Sequence, residues 1–80
     1  MKSISVQYFA MLREQAGVEK EVLSVPCRTY SELYTFLQEK YHFTLPADMI
    51  QVAVDDEFSG LSDEIKEGAR VVFIPPVAGG

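Results

Sequence analysis

TYSELYTFLQEKY, residues Thr29 to Tyr41, is the stretch that decides the fold, because it carries the strongest helix signal in the chain. Thr29 and Glu32 have the T-x-x-E spacing of a capping box, in which two side chains satisfy free backbone amides of the first helical turn. Apolar residues then recur every three or four positions and form one stripe: Tyr30, Leu33, Tyr34, Leu37 and Tyr41. Such a stripe is typical of a helix that covers a sheet, so it predicts a core helix over about residues 30–41.

Segments with strand character lie on both sides of this helix. Alternation of apolar and polar residues, turn residues and β-branched runs predict strands at 3–9, 19–25, 50–54, 57–59 and 70–74. Residues 10–17 are rich in helix formers and end on Gly17, which predicts a short helical turn after the first strand. Asp55 and Asp56 form a plausible tight turn, and Gly68 is available for a positive φ.

The order of these elements predicts the fold class. The run RVVFI at 70–74 is almost continuously apolar, which favours a central position in the sheet. A hairpin, one crossover helix and a central last strand indicate an α+β protein with a ubiquitin-like β-grasp fold. Its mixed sheet of four to five strands packs on one main helix, with a short helical turn in addition. A ferredoxin-like fold would require a second full helix, which the sequence does not contain.

Length and composition narrow the function. Eighty residues suit one domain with one modest core, here expected over 1–74 and followed by a flexible tail at 75–80. A net charge of −5 argues against nucleic-acid binding. No apolar run approaches membrane-spanning length and Cys27 is the sole cysteine, so we expect a cytoplasmic protein without an internal disulfide. His42 lacks a partner at metal-ligand spacing, so no metal site is expected, and Asp55 to Glu57 are expected to be solvated acids.

The tail PPVAGG, residues 75–80, has properties that suit a reactive chain end. Pro75 and Pro76 cannot donate backbone hydrogen bonds, so they end the sheet and favour an extended, stiff chain. Gly79 and Gly80 have no Cβ and could pass through a narrow channel. The terminal carboxylate, with an ordinary pKa near 3.3–3.7, is ionised and unreactive until another enzyme activates it. This combination predicts a carrier whose own terminus is the reagent.

Four motifs support a family resemblance over essentially the whole chain. They are YFAMLRE at 8–14 with Gly17 after it, VAVDDE at 52–57, and IKEGARVVFIPPVAGG at 65–80, which ends in FIPPVAGG at 73–80. Together they resemble the small, sulfur-carrier subunits of molybdopterin synthase, the MoaD family of the MoaD/ThiS ubiquitin-like superfamily. The Gly-Gly ending by itself would be weak evidence for this family, since ubiquitin-like modifiers and thiamine-pathway carriers share it. Asp55-Asp56 departs from the asparagine-containing turns expected in that family.

The resemblance implies a reaction sequence at Gly80. An adenylating enzyme similar to ubiquitin-activating enzymes would use ATP and Mg²⁺ to form an acyl-adenylate on Gly80, and sulfur from a sulfurtransferase would then give a thiocarboxylate. The large synthase subunit, in a heterotetramer of two small and two large subunits, would accept the tail. There the sulfur would pass to cyclic pyranopterin monophosphate to form the molybdopterin dithiolene. The tail residues threaded into the partner would be Pro75, Pro76, Val77, Ala78 and Gly79. The chain would bind no permanent cofactor and act as an enzyme only within that complex.

A second surface is predicted beside the tail. Alternation places Phe9 on the face opposite Ile4, Val6 and Tyr8. It also separates Val71 and Phe73 from Val72 and Ile74 without deciding which pair faces inward, and we assign the first pair to the core because Phe73 is the larger anchor. Phe9, Phe58 and Ile74 are therefore expected to form an exposed apolar patch for partners. The family motif adds Arg13 as a candidate for an interfacial salt bridge. The alternatives to this function are a sulfur carrier for thiamine, cysteine or tRNA thiolation, a ubiquitin-like modifier, and an interaction domain with an idle tail.

Overall fold

The computed structural model describes residues 1–76, so the predictions for Val77 to Gly80 lie outside the described residues. The elements in chain order are β1 (Lys2–Tyr8), α1 (Ala10–Ala16), β2 (Lys20–Val25), α2 (Tyr30–Tyr41), a 3-10 turn (Ala47–Met49), β3 (Gln51–Val54), β4 (Glu57–Ser59) and β5 (Arg70–Ile74). They agree with the predicted elements to within one residue at each end, apart from the 3-10 turn, which the sequence analysis left as a connection.

The five strands form one mixed sheet in the order β2-β1-β5-β3-β4. The last strand is central, as predicted: β5 pairs parallel with β1 and antiparallel with β3. Tyr8 lies opposite Phe73 in the parallel pair, and Gln51 lies opposite Ile74 in the antiparallel pair. With α2 on one face of this sheet, the predicted ubiquitin-like β-grasp architecture is confirmed.

The core lies between α2 and the inward face of the sheet. Most of the helical stripe is buried, and the inward strand residues Ile4, Val6, Tyr8, Val71 and Phe73 are buried with it. This confirms the assignment of Val71 and Phe73 to the core. Tyr41, the last residue of the stripe, is only half-buried at the margin of the core. Its position at the end of α2 lets its hydroxyl reach a polar partner, as described below.

The start of α2 is capped largely as the sequence predicts. The Glu32 N–H donates to Thr29 Oγ1 over 3.2 Å. The return bond differs from the expected one, since Glu32 Oε1 accepts from the backbone N–H of Arg28, one residue before the cap, over 2.8 Å. Both bonds hold the chain entering the helix, and such a cap stabilises a helix by about 1 kcal/mol.

The β3–β4 connection is a two-residue hairpin turn at Asp55 and Asp56, whose φ angles are 52° and 73°. Positive φ at both positions is the geometry of a type I′ turn, which matches the twist of the paired strands. Asp55 Oδ1 accepts from the Arg70 N–H over 3.0 Å, and Asp56 pairs with the Arg70 guanidinium. The two acids are therefore exposed turn residues that anchor the start of β5.

An aromatic cluster underlies the end of β5. Ring centroids lie 5.4 Å apart for Tyr34 and Phe73, and 5.9 Å apart for Tyr8 and Phe43. Such edge-to-face pairs add stability beyond their buried area. The hydroxyls of Tyr8 and Tyr41 both donate to Glu21 Oε2 over 2.6 Å, which ties β1, β2 and α2 together.

The turn that leads into β5 provides a test of backbone strain. Gly68 has φ +77°, and a Cβ added there would meet no atom within 4 Å. Gly68→Ala should therefore lower the free energy of unfolding only through the strain of a left-handed alanine, by about 1–2 kcal/mol. Gly60→Ala is the matched control: its φ is outside that region and its Cβ would meet Asp63 at an ordinary 3.4 Å. In urea titrations we expect a lower free energy of unfolding for Gly68→Ala alone. Equal losses for the two variants would contradict the assignment.

The tyrosine pair predicts sensitivity to alkaline pH. Burial, reinforced by the hydrogen bond to Glu21, raises the pKa of Tyr41 to about 12 and raises the pKa of Tyr8 as well. A folded-state pKa above the unfolded value of 10.0 gives stability that is complete below pH 10 and is lost as the pH rises toward 12.

Tyr41→Phe removes one of these titrating groups. The free energy of unfolding of the variant should therefore fall less steeply between about pH 10 and 12 than that of the wild type. Urea unfolding at a series of pH values measures both slopes, and values at pH 7 correct for the lost hydrogen bond. Identical slopes would show that Tyr41 does not contribute.

Candidate functional site: the root of the C-terminal tail

The last described residues leave the sheet from its middle. Pro75 is half-buried and Pro76 is exposed, and both follow Ile74 at the end of β5. Because β5 lies between β1 and β3, the end of β1 borders it on one side and the start of β3 on the other. We call Ile74, Pro75 and Pro76 the tail root.

An apolar cleft of about 590 Å³ lies on one side of the tail root. Every residue that lines it is apolar: Phe9, Ala10, Met11, Leu45 and the three residues of the tail root. Phe9 and Met11 are 43% and 42% exposed, which is high for side chains of their size. The cleft therefore offers unburied apolar surface where the chain leaves the domain.

A second cleft, of about 380 Å³, lies on the other side of the tail root. Asp48, Met49, Ile50 and Gln51 line it together with the tail root. Met49, in the 3-10 turn, is 49% exposed. We call this space the mixed cleft, because Asp48 and Gln51 add polar groups to its wall.

The far wall of the apolar cleft is held by hydrogen bonds from α1 and α2. Gln15 Nε2 donates to Thr44 Oγ1 over 3.0 Å, and the Thr44 N–H donates to Gln15 Oε1 over 3.3 Å. The Leu45 carbonyl accepts from the Tyr34 hydroxyl over 2.7 Å and from Gln38 Nε2 over 3.1 Å. Leu45 is thus positioned by its backbone, and its side chain is free to line the cleft.

The backbone turns sharply at the mouth of the apolar cleft. Phe9 is extended, with φ −125°, and Ala10 has φ 49°, a left-handed value that is unfavourable for alanine. This change of direction starts α1 directly after β1 and places Phe9 and Met11 on the same cleft. Gly17 then ends the helix in the left-handed region, with φ 78°, as its position predicts.

The structure brings some of the predicted patch together and leaves one member apart. Phe9 and Ile74 line the same cleft. Phe58 is 74% exposed on β4, opposite Ala53 of β3, and so lies on the same outer face of the sheet at its far edge. Two strand spacings, roughly 10 Å, separate β4 from β5. Arg13 contacts Glu19 within the chain at 3.6 Å and is half-exposed. A contact between a partner protein and Phe9, Ile74, Phe58 or Arg13 stays a prediction.

Among the described residues that line the two clefts, the sequence analysis missed seven: Ala10, Met11, Leu45, Asp48, Met49, Ile50 and Gln51. Met11 offered one signal: Leu12, its neighbour on the same short helix, is buried in the core, so the Met11 side chain has to lie on another face of that helix. Leu45 and Met49 fall in the connection between α2 and β3, where no periodicity indicates a face. Only the packing of that connection against the tail root reveals them.

Other residues with reactive side chains lie away from the tail root. Cys27 is half-buried against the core. Its burial raises the pKa of the thiol, and the negative charge of the nearby Glu32 carboxylate raises that pKa further. His42 ends α2 with φ 60°. Residues 1–76 contain no cluster of three or more His, Cys, Asp or Glu side chains suited to a metal ion. Within the same residues, no helix has the length and hydrophobicity needed to cross a membrane.

Comparison with known proteins agrees with this geometry. The family model described as "ThiS family" matches residues 6–80. The "Molybdopterin synthase sulfur carrier subunit" of Drosophila melanogaster is 34% identical over 82 residues, which cover 98% of this chain and 91% of that protein.

Two solved structures share the architecture. A putative molybdopterin converting factor, subunit 1, from Pyrococcus furiosus superimposes with a TM-score of 0.80 at 26% identity, covering 96% of this chain and 100% of that one. A chain in the complex of subunits 1 and 2 of the molybdopterin-converting factor from Helicobacter pylori superimposes with a TM-score of 0.66 at 25% identity, covering 98% of this chain and 99% of that one. Three findings agree: the order of the strands, the exit of the chain from the middle of the sheet, and the family match through residue 80. This chain therefore belongs to the ThiS family, the ubiquitin-like β-grasp proteins that include the MoaD carriers it resembles.

Proposed function

We propose that this protein is the sulfur-carrier subunit of a molybdopterin synthase and that its C-terminal Gly80 carries the sulfur. The observation that carries the proposal is the tail root, which leaves the centre of the sheet between two clefts. A central strand gives the tail a rigid base, and Pro75-Pro76 keeps the chain extended as it leaves the domain. The 34% identity to a named sulfur-carrier subunit supports the same conclusion.

The chemistry begins with activation of the Gly80 carboxylate by a partner enzyme. The carboxylate oxygen attacks the α-phosphate of Mg²⁺-bound ATP, which gives an acyl-adenylate and releases pyrophosphate. A sulfurtransferase persulfide then displaces AMP to give an acyl disulfide, and a thiol reductant cleaves that disulfide to leave the thiocarboxylate. The large synthase subunit accepts the tail, and two thiocarboxylates in turn each donate one sulfur to cyclic pyranopterin monophosphate to build the dithiolene. Water supplies the oxygen that returns each Gly80 to a carboxylate.

The clefts at the tail root suit docking better than catalysis. Among the residues of 1–76 that line them, Asp48 is the one ionisable side chain, and no other base or nucleophile lies in either lining. General acid–base or nucleophilic work requires such groups within hydrogen-bonding reach of each other. The groups that act on the pterin therefore belong to the partner in this proposal. The Helicobacter pylori complex of two subunits supports such a partner, and we propose two small and two large subunits per assembly.

The decisive test is intact-mass spectrometry after incubation with ATP, Mg²⁺, the adenylating enzyme and a sulfur donor. We expect the exchange of one oxygen for sulfur, and fragment-ion sequencing should assign it to Gly80. Deleting Gly80, or adding one residue after it, should abolish the exchange. The circular dichroism spectrum should stay unchanged, because the sheet ends at Ile74. Normal sulfur loading of either variant would refute the proposal.

A second assay separates the competing carriers and modifiers. The thiocarboxylated protein is mixed with the large synthase subunit and the pterin precursor, and dithiolene formation is measured. Loading without dithiolene would point to a carrier for thiamine, cysteine or tRNA thiolation. Isopeptide-linked adducts of Gly80 in cell extracts would indicate a protein modifier instead.

Phe9 provides a test of the docking surface. Phe9→Ser removes a large apolar side chain from the apolar cleft, so the Kd for the large subunit should rise roughly tenfold or more. Val22→Ser is the matched control, since Val22 is 74% exposed on β2, away from the tail root. Phe58→Ser reports whether the far edge of the sheet takes part. A Phe9 variant that binds like the Val22 variant would remove Phe9 from the interface.

A further inference from the structure

Two methionines flank the tail root from opposite sides. Met11 belongs to α1 and lines the apolar cleft, whereas Met49 belongs to the 3-10 turn and lines the mixed cleft. They are 42% and 49% exposed. The proposed function does not use their sulfur atoms. Thioethers at this exposure are open to oxidants from solvent.

We propose that Met11 and Met49 are an oxidation-sensitive modification site that controls docking of the tail root, an inference that rests on the proposed function. Hydrogen peroxide is the oxidant: the methionine sulfur attacks a peroxide oxygen, an S–O bond forms as the O–O bond breaks, and water is released. Sulfur loses two electrons and the peroxide gains them. Methionine sulfoxide reductases, with thiol as reductant, reverse the step.

The surroundings of Met11 explain why the sulfoxide would oppose binding. The thioether lies in a cleft lined only by apolar side chains, which a docking partner would have to cover. A sulfoxide oxygen buried there would need a hydrogen-bond donor or would oppose association. The Thr44 hydroxyl donates to Met11 Sδ over 3.6 Å and can donate to the sulfoxide oxygen as well, so the loss of affinity comes from the added polar atom and its hydration within an apolar contact.

Met49 gives the same effect on the other side of the tail root. Of the two polar side chains on the wall of the mixed cleft, Asp48 accepts only and repels a sulfoxide oxygen, while the Gln51 amide is the donor available to it. Oxidation at both positions would place a polar acceptor on each side of the chain that has to enter the partner. Neither sulfur supports the buried core, so the fold should survive the modification.

The test measures binding of the unloaded carboxylate protein to the large synthase subunit, because peroxide would also attack a thiocarboxylate. Wild-type protein is treated with hydrogen peroxide, and fragment-ion sequencing locates the added oxygen atoms. We expect oxidation at Met11 and Met49 and a Kd raised about tenfold or more, with an unchanged circular dichroism spectrum. Methionine sulfoxide reductases A and B should restore the original Kd.

A double variant with an internal control makes the result specific. Met11→Leu with Met49→Leu should bind before and after peroxide treatment with the same Kd. Met1 is 84% exposed, lies outside both clefts and stays oxidisable in the double variant, so it is the internal control: its oxidation should leave the Kd unchanged. An equal loss of affinity in the peroxide-treated double variant, or no loss of affinity in the oxidised wild type, would overturn this inference and leave the proposed function standing. If untreated wild type does not bind the large subunit, the proposed partner fails and this inference fails with it.

Discussion

Parallel pairing of β1 with β5 is the constraint on which the rest of the structure depends. Parallel strands cannot be joined by a tight turn, so the chain between them has to cross the sheet, and α2 covers the core on the way. The register that sets Tyr8 opposite Phe73 also brings the ends of both strands to the same edge. Phe9 therefore lies beside Ile74, and the apolar cleft forms where two distant parts of the chain meet.

The same arrangement gives the tail root a firm base. The aromatic cluster of Tyr8, Tyr34, Phe43 and Phe73 packs below the tail root. At the margin of this cluster, the hydroxyls of Tyr8 and Tyr41 donate hydrogen bonds to Glu21. A stiff attachment reduces the conformational freedom that the tail would lose on entering a partner, which favours binding. A domain this small has room for one core, and in our proposal the partner provides the groups that act on the substrate.

Much of the fold could be predicted because the signals were local. The capping box at Thr29 and Glu32 and the turn at Asp55-Asp56 follow from spacing along the chain. The inward face of Val71 and Phe73 was assigned from the size of Phe73, since the apolar run by itself did not distinguish the two faces. The candidate site was predictable only in part. Phe9 and Ile74 share a cleft, but Phe58 lies two strands away, since alternation reveals the face of a residue and not its distance from others on that face. The Tyr41–Glu21 bond escaped prediction because its partners come from different elements.

The sequence by itself determined the elements, their inward faces and the chemical character of the tail, because hydrophobic period, capping residues and the Pro-Pro and Gly-Gly pairs act within a few residues. Only the tertiary structure decided which side chains surround the tail root. Met11, Leu45 and Met49 come from α1, a connection and a 3-10 turn, and they meet there because the core is buried in one register of the sheet. The physical reason is that side-chain periodicity is a local property, whereas proximity across the sheet depends on how all the elements pack together.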